Sequence, residues 1–285
     1  MCEHCGGHET QRSLKFAVTG KGGVGKTTIS ALMARALHKS GRVVLAIDAD
    51  PNTTLLACMG HTPTTPIPPI VELKGLIAER TGVEPGTSGG FFKINPRVSD
   101  IPEKYAVDVD GIKVLVAGAI KHGGAGCYCP ENAFVRALVS HVLLEKKNAL
   151  ILDMEAGIEH LSRGTVEDVD RLLIVVEPSR SSIETALRIN KLAQELGLHH
   201  ISVIGNRIKS DGEKDFLREA LSEIEFAGFV PFDEKLQQAE LAGRPAAGAS
   251  QAVDDVIARI VRRIEENTHS HSHGHSHDHT HHHHH

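Results

Sequence analysis

Gly20-Lys21-Gly22-Gly23-Val24-Gly25-Lys26-Thr27-Thr28 is the stretch that decides the fold of this chain. It follows an apolar run from Leu14 to Val18 and begins a helical pattern, so it predicts a strand, a loop and a helix in direct succession. Glycines let backbone N–H groups curl around a polyphosphate, and the helix N-terminus adds the positive end of its dipole. Lys26 is predicted to reach the β- and γ-phosphates, and the Thr27 hydroxyl to face Mg²⁺. The predicted phosphate-binding residues are Gly22, Gly23, Val24, Gly25, Lys26, Thr27 and Thr28.

Short apolar runs alternate with helical patterns along most of the chain, which is typical of consecutive βαβ units. The predicted fold is therefore α/β, with a mostly parallel twisted sheet flanked by helices, as in P-loop nucleotide hydrolases. Strands are expected near 14–19, 43–48, 112–117, 149–153, 172–176, 201–205 and 226–230. Helices are expected near 27–39, 131–146, 181–196, 213–222, 234–242 and 250–266. The proline-rich insert from Gly60 to Asp110 interrupts this periodicity, so loops with at most short helices are expected there.

Composition disfavours several classes of partner. The 285 residues carry a net charge of −5, so no nucleic-acid partner is expected. The longest apolar runs, such as Leu172 to Val176, are too short to cross a bilayer, and the N-terminus lacks the apolar core of an export signal. We therefore expect no membrane partner and a cytoplasmic location. Five cysteines in that compartment predict metal ligands, reactive thiols or core residues, and Cys58 fits a core or helix position.

Lys21, near the start of the glycine-rich loop, is a second lysine beside Lys26. With it, the loop resembles the deviant P-loop of the division-site, plasmid-partition, arsenite-pump and nitrogenase-reductase ATPases. That resemblance implies a face-to-face dimer in which Lys21 crosses the interface to the partner's phosphates. A cation supplied from another chain makes hydrolysis depend on dimerisation, as an arginine finger does. The alternative for Lys21 is a solvated loop lysine.

Acidic residues follow two of the predicted strands, and ligands of open α/β sheets bind at the carboxyl ends of strands. The segment from Ala46 to Asn52 resembles the first switch of that family. Asp50 is predicted to position the attacking water, and Asp48 to lie in the outer shell of Mg²⁺. Asp153, after a second apolar strand, is predicted to hold a Mg²⁺-bound water. Nucleotide hydrolysis is the predicted activity, while an acidic turn that caps a helix is the alternative for the first segment.

The nucleotide base is predicted to be adenine. Val203-Ile204-Gly205-Asn206-Arg207 resembles the segment in which an asparagine of this family hydrogen-bonds adenine, and the loop that begins at Pro231 resembles its base-flanking loop. That resemblance assigns Asn206, Arg207 and Pro231 to the ATP site. A strand-end cap is the alternative for Asn206.

Cys127 and Cys129 lie between the third predicted strand and the next helix. Thiols at positions i and i+2 of an extended segment point to the same side and can bind one soft or borderline metal ion. Two thiolates do not complete a coordination shell, but two copies facing each other across a dimer axis form a four-sulfur site for nickel or zinc. Metal binding, ATP binding and dimerisation would then be linked. The alternative is two buried or idle thiols beside a turn.

From about Leu14 to Glu266 the chain resembles the CooC-type nickel-insertion ATPases. The resemblance rests on the deviant P-loop, on Cys-Tyr-Cys-Pro-Glu at 127–131, and on 153–160 with the following Arg163-Gly164-Thr165. It implies a homodimer whose client is nickel-dependent carbon monoxide dehydrogenase, with maturation of acetyl-CoA synthase as an alternative. Two other classes stay open: a reductase of the nitrogenase iron-protein type, and a positioning ATPase of the MinD or ParA type.

Both chain ends carry metal-ligating residue types outside this resemblance. Residues 1–13 form a predicted extension with Cys2 and Cys5, 14–267 the predicted ATPase domain, and 268–285 a predicted disordered, histidine-rich tail. The tail histidines predicted to store nickel are His269, His271, His273, His275, His277 and His279. A purification tag is the alternative for the final five histidines, and incidental thiols are the alternative for the N-terminal pair.

Overall fold

The computed structural model describes residues 13–85, 91–118, 130–144, 149–158, 161 and 169–270. Its strands are β1 (Leu14–Gly20), β2 (Val44–Ala49), β3 (Val107–Val109), β4 (Ile112–Val116), β5 (Ala149–Met154), β6 (Arg171–Val176), β7 (Ile201–Ile208) and β8 (Glu225–Pro231). They form one sheet in the order β3-β4-β2-β5-β1-β6-β7-β8. All the pairings are parallel except that of β3 with β4. The predicted mostly parallel α/β fold is confirmed.

Helices cover both faces of this sheet. They are α1 (Lys26–Lys39), α2 (Leu55–Cys58), α3 (Lys74–Thr81), α4 (Ile101–Tyr105), α5 (Pro130–Leu144), α6 (Arg180–Leu196), α7 (Asp211–Ala220), α8 (Glu234–Leu241) and α9 (Gln251–Ser270), with a 3₁₀ turn at Ile70–Glu72. Residues of α1 and α9 pack in one buried apolar cluster, and residues of α5 and α6 pack in another. Strands β2, β5 and β6 are buried along their whole length, because helices cover both of their faces.

The insert between Gly60 and Asp110 holds α3, α4 and the short strand β3, and β3 is an element that the sequence patterns did not predict. Three residues of strand are too short to show a period of two, and antiparallel pairing with β4 stabilises them. Cys58 ends α2 and is partly buried, as expected for a helix or core position. None of the helices in the described ranges is long and apolar enough to cross a membrane.

Candidate functional site

Two glycines of the P-loop stand where no other residue fits. Gly20 ends β1 with φ +147°, and a Cβ on it would lie 2.3 Å from the carbonyl oxygen of Val175 in β6. Gly25 precedes α1 with φ +90°, and its Cβ would lie 2.5 Å from Nδ2 of Asn206. The loop therefore leaves the sheet between β1 and β6 and passes close to the end of β7. A side chain at position 20 or 25 would prevent this close approach.

The start of α1 is suited to an anion. Gly25 precedes the helix without a side-chain cap, so no side chain competes for its first N–H groups. Lys26 is only 6% exposed, and its Nζ donates to the carbonyl oxygen of Lys21 at 3.4 Å. The Lys26 side chain, which is predicted to bind phosphate, thus contacts the backbone of the P-loop itself. Thr28, also buried, donates to Oε1 of Glu240 in α8 at 2.5 Å.

Lys21 contacts its own chain. Its Nζ donates to Oγ of Ser181, in the first turn of α6, at 2.7 Å. This hydrogen bond is exposed, so it holds the ammonium group only weakly. The predicted contact with the nucleotide of a second chain requires Lys21 to leave Ser181, and that contact stays a prediction.

Asp48 and Asp153 form a buried acidic pair at the carboxyl edge of the sheet. They are register partners in neighbouring strands β2 and β5, and both side chains are 0% exposed. Burial raises the pKa of Asp48 to about 6. The pKa of Asp153 is raised to about 7, mainly by burial and in addition by the nearby charge of Asp48. The pair therefore stores unfavourable electrostatic energy that a bound cation would relieve.

Asp153 has the free oxygen of this pair. Its Oδ1 accepts from Oγ of Ser30 at 2.9 Å, whereas its buried Oδ2 has no hydrogen-bond partner in the described part of the chain. The Thr27 hydroxyl lies close enough to lower the pKa of this carboxyl. A buried carboxylate oxygen beside a threonine hydroxyl fits Mg²⁺ or one of its water ligands, because magnesium prefers oxygen donors.

Asp48 and Asp50 organise the loop after β2. Asp48 accepts from the backbone N–H of Asp50 at 3.2 Å and from that of Leu55 at 2.9 Å. Asp50, which is partly exposed, accepts from the backbone N–H of Asn52 at 2.8 Å. Since both oxygens of Asp48 already bind the backbone, an outer-shell role fits it better than direct ligation. The hydrogen bond from Asn52 uses one carboxylate oxygen of Asp50, as the turn-capping alternative expects. The role of Asp50 in positioning water stays a prediction.

Asn206 and Arg207 reach the P-loop from the end of β7. Nδ2 of Asn206 donates to the Val24 carbonyl at 2.8 Å, so any hydrogen bond to an adenine amino group falls to its Oδ1. Arg207 has φ +58° within a register shift between β7 and β8, and donates to the Gly23 carbonyl at 3.0 Å. Pro231 ends β8 on the same edge. The structure therefore brings the predicted base and phosphate residues to one edge.

Thr19 and Ser30 support the site and were missed in the sequence patterns. The Thr19 hydroxyl donates to the carbonyls of Glu155 and Gly157, at 3.0 and 2.7 Å, and so ties the segment after Asp153 to β1. Thr19 is a polar residue at the carboxyl end of an apolar strand, which was a usable signal. Ser30 lies one helical turn after Lys26, and only the i, i+4 spacing could have indicated it.

The predicted transition-metal residues lie outside the described ranges. They are Cys2, Cys5, Cys127, Cys129, His271, His273, His275, His277 and His279, and of His269 only the helical backbone at the end of α9 is described. No group of three or more histidine, cysteine or acidic side chains suited to a metal ion occurs within those ranges. The flanking residues are placed, however. Gly118, the last described residue before Cys127 and Cys129, donates its N–H to the Asp48 carbonyl at 3.1 Å and so lies at the nucleotide edge.

Comparisons with known proteins agree with this geometry. Residues 15–246 match the CobQ/CobB/MinD/ParA nucleotide binding domain. The chain is 44% identical to the carbon monoxide dehydrogenase accessory protein CooC of Rhodospirillum rubrum over 88% of this chain and 97% of that protein. It is 42% identical to the uncharacterized ATP-binding protein MJ0823 of Methanocaldococcus jannaschii over 85% and 95%.

Solved structures share the fold. The MinD cell division protein of Aquifex aeolicus has a TM-score of 0.63 at 25% identity, covering 90% of this chain and 97% of that one. A ParA family ATPase of Chlorobium tepidum has a TM-score of 0.64 at 19% identity, covering 88% and 99%. The chain therefore belongs to the MinD/ParA family of nucleotide-binding ATPases and, within it, to the group of the CooC accessory protein.

Proposed function

We propose that this protein is a cytoplasmic ATPase that inserts nickel into the nickel–iron–sulfur cluster of carbon monoxide dehydrogenase. The observation that carries the proposal is its 44% identity, over nearly the full length of both chains, to a carbon monoxide dehydrogenase accessory protein. An identity of this size over nearly all of both chains indicates that the two proteins share more than a fold. Residues 14–267 would form the ATPase domain, with an N-terminal extension and a histidine-rich tail.

Hydrolysis would use the residues gathered at the carboxyl edge. Lys26 and the first N–H groups of α1 would bind the β- and γ-phosphates of ATP. Mg²⁺, held by the Thr27 hydroxyl and through water by Asp153, would neutralise charge on those phosphates. Asp50 would orient the water that attacks the γ-phosphorus as the bond to the β,γ-bridging oxygen breaks and ADP leaves. Asp48 would hold the loop that carries Asp50.

A second copy of the chain would complete the reaction site. Lys21 of the partner subunit would stabilise the charge that develops on the transferred phosphoryl group, after release from its contact with Ser181. Hydrolysis would then be slow in a monomer. The same approach of two chains would bring two Cys127/Cys129 pairs together into a four-sulfur site for Ni²⁺ or Zn²⁺.

The positions of the flanking elements support a link between metal and nucleotide. β4 ends beside β2, where Asp48 accepts the N–H groups of Ala117 and Gly118 at 2.8 and 3.1 Å. α5 then begins at Pro130 and leads back to the amino end of β5. Of the described residues that flank the cysteine-bearing segment, Gly118 is therefore hydrogen-bonded to the edge that holds the P-loop. A change in the loop after β2 on ATP binding would therefore shift Gly118 directly.

The proposal is tested by activation of nickel-free carbon monoxide dehydrogenase in the presence of ATP, Mg²⁺ and limiting Ni²⁺. The wild type should activate the client, whereas Lys26→Ala and the double variant Cys127→Ala/Cys129→Ala should not. Excess nickel should restore client activity in cells that lack this protein. If nickel never restores it, and the anaerobic protein contains stoichiometric iron and sulfide, the protein acts as an electron donor and the proposal is wrong.

A further inference from the structure

Two consecutive side chains at the carboxyl end of β7 contact the P-loop. Nδ2 of Asn206 donates to the Val24 carbonyl at 2.8 Å, and the guanidinium of Arg207 donates to the Gly23 carbonyl at 3.0 Å. Successive side chains of a regular strand point to opposite faces of the sheet. The left-handed backbone of Arg207, with φ +58°, and the register shift between β7 and β8 interrupt that alternation. Both side chains therefore reach neighbouring carbonyls of one loop.

Arg207 adopts a backbone conformation that an arginine does not favour. The left-handed region is normally occupied by glycine, or by asparagine and aspartate, whose short side chains form local hydrogen bonds. Backbone strain of this kind persists where the surrounding contacts require it, and it is concentrated at functional sites. The contact that requires it here is the hydrogen bond to Gly23, because an extended Arg207 would point to the other face of the sheet.

Arg207 also lies beside the turn that holds the end of the Lys21 side chain. Its guanidinium is 3.8 Å from the Glu177 carboxylate. The backbone N–H of Glu177 donates to Oγ of Ser182 in the first turn of α6 at 3.1 Å, and the preceding Ser181 accepts from Nζ of Lys21 at 2.7 Å. Arg207 thus contacts the loop backbone two residues after Lys21 and also the turn that the Lys21 ammonium group contacts. Exposed ion pairs contribute little, so the hydrogen bond to the loop backbone is the stronger of the two contacts.

We propose that Arg207 is a positioning residue for Lys21 and makes the placement of that lysine depend on the nucleotide base. An adenine amino group bound at Oδ1 of Asn206 would fix the end of β7, and Arg207 would then fix the P-loop at Gly23. Lys21, two residues earlier, would be held in the geometry that reaction at the partner subunit's nucleotide requires. Guanine has a carbonyl oxygen in place of the amino group, so it would not bind Oδ1 and would not fix the loop. This inference rests on the proposed role of Lys21 in trans.

Steady-state hydrolysis of ATP and of GTP, with kcat and KM measured separately, tests this role in the full-length protein. Arg207→Gly keeps the left-handed backbone without strain and removes the guanidinium. It should lower kcat for ATP by about 10- to 100-fold, as a misplaced reacting group does, and should change KM little. The ratio of kcat for ATP to kcat for GTP should fall toward one. Arg207→Asn, which also accepts this backbone conformation, should behave in the same way. Arg262→Ala, at an exposed position of α9, is the matched control and should keep wild-type rates.

The double variant Lys21→Ala/Arg207→Gly separates positioning from a merely structural effect. Because Arg207 would act through Lys21, the double variant should hydrolyse ATP as slowly as Lys21→Ala alone. Losses that multiply in the double variant, or an unchanged ATP-to-GTP ratio of kcat in Arg207→Gly, would overturn this inference alone. A normal rate for Lys21→Ala would overturn it together with the role in trans. Failure to activate carbon monoxide dehydrogenase would change neither readout, so a failure of nickel delivery is distinguishable from a failure of this inference.

Discussion

The substitution Asp153→Asn isolates the electrostatic cost of the buried acidic pair. Asp153 is fully buried, its Oδ2 has no hydrogen-bond partner among the described residues, and the charge of Asp48 raises its pKa further. Asparagine keeps the shape and the acceptor for Ser30 but removes the charge. It also buries an amide nitrogen without a partner, a cost of about 1–3 kcal/mol that does not depend on pH.

The pH dependence of the free energy of unfolding gives the magnitude. The pKa of Asp153 rises from 3.8 to about 7 on folding, so the folded protein binds this proton more tightly than the unfolded chain. The contribution of Asp153 to wild-type stability therefore falls as pH rises from about 4 to about 8, and is constant above that range. Between pH 5 and pH 8 the change is about 2–3 kcal/mol, because the slope is about 1.36 kcal/mol per pH unit between the two pKa values and flattens as pH passes the folded pKa. Asp153→Asn lacks this loss.

Urea unfolding of the metal-free, nucleotide-free protein at pH 5 and pH 8 measures the effect. The stability of Asp153→Asn relative to wild type should increase by about 2–3 kcal/mol between the two pH values. Ser30→Ala is the matched control: it removes a donor to Asp153, so it should lower stability at pH 8 by about 1–3 kcal/mol. A stability difference between Asp153→Asn and wild type that is the same at both pH values would refute the reasoning.

Three further substitutions or measurements probe other parts of the site. Gly20→Ala should cost about 3 kcal/mol or more in urea unfolding, because its Cβ would meet the Val175 carbonyl oxygen; unchanged stability would contradict the geometry of the loop. Lys21→Ala should retain ATP binding but reduce phosphate release by about 10³-fold, and a normal rate would exclude the role in trans. Burial, reinforced by the charge of Glu240, raises the pKa of Cys58 to about 11. A variant with this single cysteine should therefore react with thiol reagents at pH 8 about 10²-fold more slowly than a free cysteine. Reaction at the rate of the unfolded chain would contradict this expectation.

Much of the central sheet could be predicted because its strands are buried on both faces. Such strands appear as continuous apolar runs, and each of the predicted strands is present within one to three residues of its expected bounds. The P-loop was equally predictable, since its glycines and Lys26 have a fixed spacing relative to strand and helix. The positions of Asp48 and Asp153 at strand ends followed from the same apolar runs.

The details that give the site its electrostatics could not be predicted. Asp48 and Asp153 are far apart in sequence, and only the register of β2 against β5 places them side by side. The positive φ of Arg207 depends on a register shift between β7 and β8, which no local pattern reveals. The contact between Lys21 and Ser181 joins residues 160 positions apart. Tertiary packing determines all three features.

The nickel-delivery proposal is tested most directly by sedimentation and metal analysis of the protein without residues 271–285 and with Cys2→Ala/Cys5→Ala. With a non-hydrolysable ATP analogue, Mg²⁺ and Ni²⁺, this protein should form a dimer that contains one nickel ion per two chains. The additional change Cys127→Ala/Cys129→Ala should abolish the nickel and weaken the dimer. A protein that binds nickel as tightly when it is a monomer, or a cysteine variant that retains one nickel per dimer, would contradict the proposal.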